Sequence, residues 1–374
     1  MSQGLEDVVA ASTRLSHVDG EGGRLTIAGY AVEDLAPYAS FEEVAYLLLH
    51  GRLPEASERV RFARDLAGRR ALSKAALAIL NEAAVAHVPP MDALRMAAPV
   101  LSLGREENPV EDAMTAIASF PTIVGTYWRL RHGEASVAVR SDISHAAHYL
   151  HQLFGANPSV ERARALETYL NTVCDHGFNA STFAARVIIS TRTDVISAIT
   201  GAVGALKGPL HGGAPGPALD TVLEIGTPER AESVLRAKLD RGERLMGFGH
   251  RVYRVRDPRA DVLAQAAERF YSSDGDRSLY ELARAVETTS LRLLRERKPD
   301  RRLDTNVEFY TALLLHGLGL PSDLFTPTFA VGRVAGWSAH CLEQLREGRL
   351  IRPQSAYIGP TELHYDRGSS AAAV

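Results

Sequence analysis

Apolar residues in this 374-residue chain recur three or four positions apart over most of its length, in stretches that open on capping residues. Residues 158–175 put Val160, Ala163, Leu166, Leu170 and Val173 on one helical face. Ser40 precedes FEEVAYLLLHG with Glu43 three residues on, a capping-box pattern that closes at Gly51. Pro54 opens a further helix, and Ser73 and Asp92 mark later starts. The spacing predicts an apolar helix over 181–206, interrupted at Gly201 and Gly204, and helices over 227–240, 257–271, 278–296 and 322–346. Only residues 14–30, RLSHVDGEGGRLTIAGY, read as a short β-hairpin around a Gly-rich turn. Strands and helices do not alternate, which excludes a parallel-sheet nucleotide fold and leaves an all-α class.

Character changes along the chain. Long apolar helices precede residue 208, shorter Arg- and Glu-rich ones follow, and apolar sequence returns in LFTPTFAVGRVAGWSAHCLEQ. The expected organisation is a large helical domain of residues 1–213 and 319–374, with a smaller helical domain, 214–318, inserted in it. A formal net charge of −3 argues against a general nucleic-acid binder. No stretch has the uncharged length of a membrane span, and the first residues lack the basic-then-apolar pattern of a secretory leader. Cys174 and Cys341 sit far apart in apolar helical patterns, as small buried hydrophobes in a reducing compartment. A cytoplasmic protein is expected.

Four segments place His, a carboxylate or Arg beside Gly, Pro or Asn: DHGFNAS (175–181), LKGPLHGGAPG (206–216), MGFGHRVYRVRDPRA (246–260) and TNVEFYTA (305–312). Arg251, Arg254, Arg256 and Arg259 crowd one side of His250 and repel one another unless an anion sits among them. Two histidines, a carboxylate and several arginines suit proton abstraction next to a carbonyl: the carboxylate takes the proton, one His stabilises the enolate oxygen and another protonates the acceptor. Taken singly, His211 also fits a loop histidine among helix-ending glycines, and Glu308 a solvated carboxylate in a helix cap region after Asn306. His145, His148 and His151 recur every three residues without a carboxylate or Cys partner, which favours a packed or interfacial helix over a metal site. GFGHRV lacks the third glycine and the preceding apolar strand of a dinucleotide fingerprint.

In the order LKGPLHGGA, MGFGHRVY…DPRA and NVEFY, these segments resemble the citrate synthase family, of the bacterial citrate synthase and 2-methylcitrate synthase type. SHVDGEGGRL, FEEVAYLLLHGRLP, DHGFNASTFAARV, FTPTFAVGRVAGW and LIRP extend the resemblance to nearly the full length. It implies the citrate synthase fold and a condensation of acetyl-CoA with oxaloacetate, followed by hydrolysis of citryl-CoA to citrate and CoA. By the same resemblance His211 holds the enolate oxygen, Glu308 removes the methyl proton, and His250 polarises and protonates the oxaloacetate carbonyl. His176, Arg259 and Arg333 bind the dicarboxylate, and Arg352 reaches the neighbouring site of a homodimer. Arg254 matches a CoA-phosphate contact; Arg251 and Arg256 are further CoA candidates, with solvated surface charge as the other reading. No metal and no resident cofactor is implied, since CoA comes and goes as substrate and product; nucleic acid and membrane are not expected partners. The small domain is expected to close on oxaloacetate about hinges near Gly208–Gly213 and residues 317–321.

One departure stands out: the family's usual NVDFY is NVEFY here, as in a bacterial subgroup, and Glu308 is one methylene longer than Asp. Two alternatives follow: a 2-methylcitrate synthase using propionyl-CoA, and a weakly active paralogue that binds CoA or dicarboxylate for regulation.

Overall fold

The computed structural model describes residues 3–5, 8–212, 215–250 and 252–364. Gly213 and Ala214, at the expected domain boundary and hinge, and Arg251, one of the expected CoA contacts, lie outside the described residues.

The described residues bear out the all-α expectation, with one small sheet at the N-terminal end. Strands β1 (Ser16–Asp19) and β2 (Arg24–Ile27) form the expected antiparallel hairpin, pairing Ser16 with Ile27. A third strand, β3 (Tyr30–Ala31), adds to β2 with Thr26 opposite Ala31. Ala28 and Gly29 make that reversal possible, with φ of 44° and 96° in the two-residue turn.

Helices follow in sequence: α1 (Val32–Leu35), α2 (Phe41–His50), α3 (Ala56–Ala67), α4 (Lys74–Val85), α5 (Pro90–Ala97), α6 (Pro109–Arg131), α7 (His145–Phe154) and α8 (Val160–Val173). Ser40 and Glu43 form the reciprocal capping box of α2, with Ser40 N donating to Glu43 Oε2 at 2.9 Å. Ser73 caps α4 as expected. Asp92 does not cap α5; it lies in the first turn, and Pro90 takes the first helical position, where a missing N–H costs nothing.

The long helix expected over 181–206 is two: α9 (Ala180–Ile189) and α10 (Val195–Leu206). The break falls before Asp194, whose Oδ1 accepts Ser197 N at 2.8 Å and so starts α10 afresh. Gly201 and Gly204 do not interrupt α10. A Cβ on Gly201 would sit 2.1 Å from Ile188 Cδ1, so its absence lets α9 and α10 pack closely.

The remaining helices are α11 (Pro215–Ile225), α12 (Ala231–Asp240), α13 (Pro258–Ser273), α14 (Arg277–Arg297), α15 (Val307–Gly317) and α16 (Phe325–Glu347). α16 is buried on nearly all sides and packs against α2, α6, α8, α9 and α10. α12 packs on α14, while α13 lies between α15 and α8. One apolar core runs from Leu15 to Leu342, and Cys174 and Cys341 are buried free thiols within it. Among the described residues no helix is long and apolar enough to cross a membrane.

Candidate active site

A cleft of about 1370 Å³ opens where α9, α15 and α16 meet the loops after α8, α10 and α12. His176, His211, His250, Arg259, Glu308 and Arg333 all line it. These residues span 158 positions of sequence, and the tertiary fold brings them to one place.

A short strut holds two of the segments together. Phe248 and Thr305 form an antiparallel bridge, Asn306 N donates to Gly247 O at 2.9 Å, and Asn306 Nδ2 donates to Gly249 O at 2.7 Å. Gly247 and Gly249 turn through φ of 89° and 81°, a region open to glycine, and this turn delivers His250 to the cleft. Asp257 then caps α13 and grips Arg259 through two bonds, Nε to Oδ1 at 3.0 Å and NH2 to Oδ2 at 2.9 Å. The same carboxylate accepts Val307 N at 3.2 Å, so it ties the starts of α13 and α15 together. Burial alone would lower the Arg259 guanidinium, but Asp257 outweighs it and holds the charge firmly in place.

Glu308 occupies the second position of α15, with Asn306 as the N-cap. Its carboxylate has no hydrogen bond among the described residues. Burial pushes it up to about 6, with Arg259 pulling down and Asp257 pushing up. A carboxylate of that affinity, half in contact with a cleft, is matched to taking a proton near neutral pH.

The backbone sets His250. Its Nδ1 accepts Val252 N at 3.0 Å and Tyr253 N at 3.1 Å, so in the neutral ring the proton is on Nε2. That nitrogen lies 3.3 Å from Arg259 NH2, also a donor. Two donors aimed at one space call for an acceptor oxygen between them. Burial first, and Arg259 second, push His250 down to about 4, so the ring is neutral at pH 7.

His176 Nε2 meets Tyr253 OH at 3.1 Å, and burial with the charges of Arg259 and Arg333 holds it well below the usual histidine range. Arg333, 1% exposed, donates Nε to Val173 O at 2.6 Å and lies over the Phe329 ring. Burial pushes it down to about 10, which leaves it charged. Neutral imidazoles beside two desolvated guanidiniums make a receptor for a small anion.

His211 is set by α9. Its Nε2 accepts Ser181 N at 3.3 Å, an N–H from the first turn that has no partner within its helix, and lies 2.8 Å from Ser181 Oγ. Trp337 Nε1 donates to that hydroxyl at 3.1 Å. The ring proton therefore sits on Nδ1, free for a ligand. Burial and Arg333 push His211 down to about 4.

Three expected arginines do not line the cleft. Arg254 is exposed beside the sheet, its backbone N donating to Gly20 O at 2.8 Å. Arg352 is exposed on the segment after α16. Arg256, expected as a CoA contact, is instead paired with Asp261 and with Glu287, at 2.9 Å from the latter. Glu287 is 3% exposed and also accepts Thr305 and Tyr310 hydroxyls, so it requires that countercharge to stay buried. The cations that do line the mouth are Arg244, Lys298 and Arg301, all exposed. Sequence reading missed these, and also Ser181, Tyr253, Asp257 and Trp337. Asp257 alone had a local signal, as an Asp-Pro helix start.

Comparison with known proteins gives one consistent result. The family model "Citrate synthase, C-terminal domain" matches residues 4–354. The citrate synthase of Haloferax volcanii is 39% identical over 98% of this chain and 97% of its own length. Citrate synthase 2 of Bacillus subtilis is 41% identical over 97% of each. The 2-methylcitrate synthase of Shewanella oneidensis is 39% identical over 95% of this chain and 94% of its own. Among solved structures, citrate synthase from Pyrobaculum aerophilum aligns with a TM-score of 0.87 at 38% identity, over 97% of this chain and 93% of that one. The ternary complex of the Thermoplasma acidophilum enzyme with carboxymethyl coenzyme A and oxaloacetate aligns at 0.86 and 32% identity, covering 98% of each chain.

Proposed function

The chain belongs to the citrate synthase family, and from that premise we propose how its cleft divides the work of condensing acetyl-CoA with oxaloacetate. Glu308 removes a methyl proton from the acetyl thioester. His211 donates Nδ1–H to the thioester oxygen and stabilises the enolate that forms. The enolate carbon attacks the keto carbon of oxaloacetate, whose oxygen lies between His250 Nε2–H and Arg259 NH2. His250 gives its proton to the new alkoxide, and water then cleaves citryl-CoA to citrate and CoA. His176, Arg259 and Arg333 hold the two carboxylates.

The observation that carries this reading is the 3.3 Å approach of two donors, His250 and Arg259, in a cleft shared with an unpartnered Glu308. Both histidines are neutral before reaction, so they act as hydrogen-bond donors and leave the carboxylate to act as base. Because side chains supply the stabilisation, the reaction runs without a resident metal or cofactor.

CoA enters by the mouth, where Arg244, Lys298 and Arg301 meet its phosphates and Arg254 joins on closure. Closure is the motion of residues 214–318 over residues 1–213 and 319–374; it follows oxaloacetate and excludes water. The enzyme works as a cytoplasmic homodimer, Arg352 of each chain reaching the other's site.

The test is CoA thiol release with oxaloacetate and acetyl-CoA, in wild type and Glu308→Gln. Loss of a general base lowers turnover by about 10²–10⁴-fold; a Gln variant near wild type would remove Glu308 from the mechanism. A wild type that releases no thiol would point instead to a regulatory binding paralogue. Because a 2-methylcitrate synthase matches nearly as fully as the citrate synthases, propionyl-CoA belongs in the same assay. One methyl group changes discrimination by only about 1–3 kcal/mol.

A further inference from the structure

Behind the cleft wall lies a buried polar chain that the reaction does not touch. Glu343, 4% exposed, accepts Arg186 NH1 at 2.6 Å; Arg186 in turn donates to His340 Nδ1 at 2.9 Å; His340 Nε2 lies 3.1 Å from Asp175 Oδ2. An arginine cannot accept a hydrogen bond, so it forces the His340 proton onto Nε2 and makes that nitrogen the donor to Asp175. Asp175 and His340 are both fully buried.

This chain grips the loop that carries His176 from its hidden side. Asp175 is held by His340 and, at 2.6 Å, by Ser16 Oγ, which also accepts Gly177 N at 2.7 Å. Phe178 is held by the Arg186 guanidinium 4.8 Å over its ring and by the edge-on His340 ring at 5.7 Å. The residues on both sides of His176 are thus fastened to the interior, while His176 itself faces the cleft. Gly336 permits the arrangement: a Cβ there would meet Cys174 O at 2.3 Å and Asp175 Oδ1 at 2.8 Å. His340 also lies two turns beyond Arg333 on α16, so one contact sets both the loop and the helix that bears Arg333.

We infer that His340, through its hydrogen bond to Asp175, is a positioning residue for the dicarboxylate site, fixing His176 against Arg333. A carboxylate-bearing ligand needs these two groups at one separation, and a loop free to shift by an ångström loses it. The inference rests on the reading of His176 and Arg333 as dicarboxylate binders. His211 depends on Ser181 and the start of α9 instead, so the acyl-CoA side is spared.

The test compares wild type, His340→Leu and His340→Gln, each shown folded by its thermal unfolding. Leu has no donor for Asp175, whereas Gln places an amide N–H near the same point. KM for oxaloacetate should rise about tenfold in His340→Leu, the effect of one hydrogen bond to a charged group. KM for acetyl-CoA should stay unchanged, kcat should fall far less than KM rises, and His340→Gln should restore most of the loss. Calorimetric binding of oxaloacetate alone should weaken in parallel. A folded Leu variant with wild-type oxaloacetate affinity, or one in which both KM values rise together, overturns the inference, as does a Gln variant no better than Leu. If the Leu chain does not fold, Ser16→Ala cuts the same carboxylate from the strand side: a raised oxaloacetate KM supports the inference and an unchanged one overturns it. Wild type that neither binds oxaloacetate nor releases thiol would instead refute the functional reading.

Discussion

Burial depresses the imidazoles of His176, His211 and His250 at the cleft, and equally those of His145 and His148 inside α7. The two regions differ in what their ring nitrogens meet. At the cleft a backbone or side-chain partner fixes one nitrogen of each ring. For His211 and His250 this leaves the opposite nitrogen, bearing the proton, toward the open space. In α7, His145 stacks on Phe41 at 4.4 Å with neither nitrogen bonded, and His148 reaches only Thr122, at 3.1 Å. The α7 histidines are packing groups, as their spacing without a carboxylate or cysteine suggested. A depressed pKa therefore identifies desolvation, and a site needs a directed donor and an open face as well.

The largest effect separates the two groups by catalysis. His250→Leu and His211→Leu should each lower kcat/KM by about 10²–10⁴-fold in the thiol-release assay, while His148→Leu should stay close to wild type. A folded His148→Leu protein as inactive as His250→Leu would break the comparison.

Acid should then separate them by what fails. At the cleft, Glu308 must be ionised to act, and with its carboxyl at about 6 kcat/KM should fall as pH drops through that value. In α7, His148 stays neutral down to about 3 in the fold against 6.5 for the free group. Below 6.5 the unfolded chain therefore binds a proton that the fold rejects, and stability falls by about 1.4 kcal/mol per pH unit for each such histidine. Glu42, packed at the start of α7 with its carboxyl raised by burial and by Glu167, works in the opposite sense. Arg70, beside the same rings, adds repulsion to any new charge. The readout is thus the difference in urea-unfolding slope with pH between wild type and His148→Leu, expected to be one proton. Identical slopes would mean that His148 takes up its proton without unfolding.

The smallest effect sharpens the packing side. His145→Leu removes two buried, unbonded nitrogens, a gain of about 1–3 kcal/mol, and loses a ring contact with Phe41 worth about 0.5–1.5 kcal/mol. Thermal unfolding at pH 7 should show a net stabilisation of about 1 kcal/mol with turnover unchanged. A clear destabilisation would show that the histidine ring fits that space better than its unpaired nitrogens suggest.

Much of the scaffold was legible locally, because caps and apolar spacing act within a turn or two of helix. Ser40 with Glu43, Ser73 and Asn306 all mark real helix starts. The same local reading failed at 181–206, where Gly201 looked like a breaker and was a packing contact, while Asp194 held the true boundary. Of the arginines around His250, only Arg259 among the described ones lines the cleft. Arg256 went to Glu287, 31 positions away, a pairing no local pattern announces.

The sequence by itself determined the helical class, the N-terminal hairpin and the residue types a proton-transfer site requires, since each depends on neighbours close in the chain. Tertiary structure decided which of those residues share a cleft, which ring nitrogen carries the proton, and what braces the wall behind. Ser181 holds His211 from 30 positions away, and His340 holds Asp175 from 165. Contacts of that range come from how α9 and α16 pack, and a hydrogen bond across them exists only once both helices are in place.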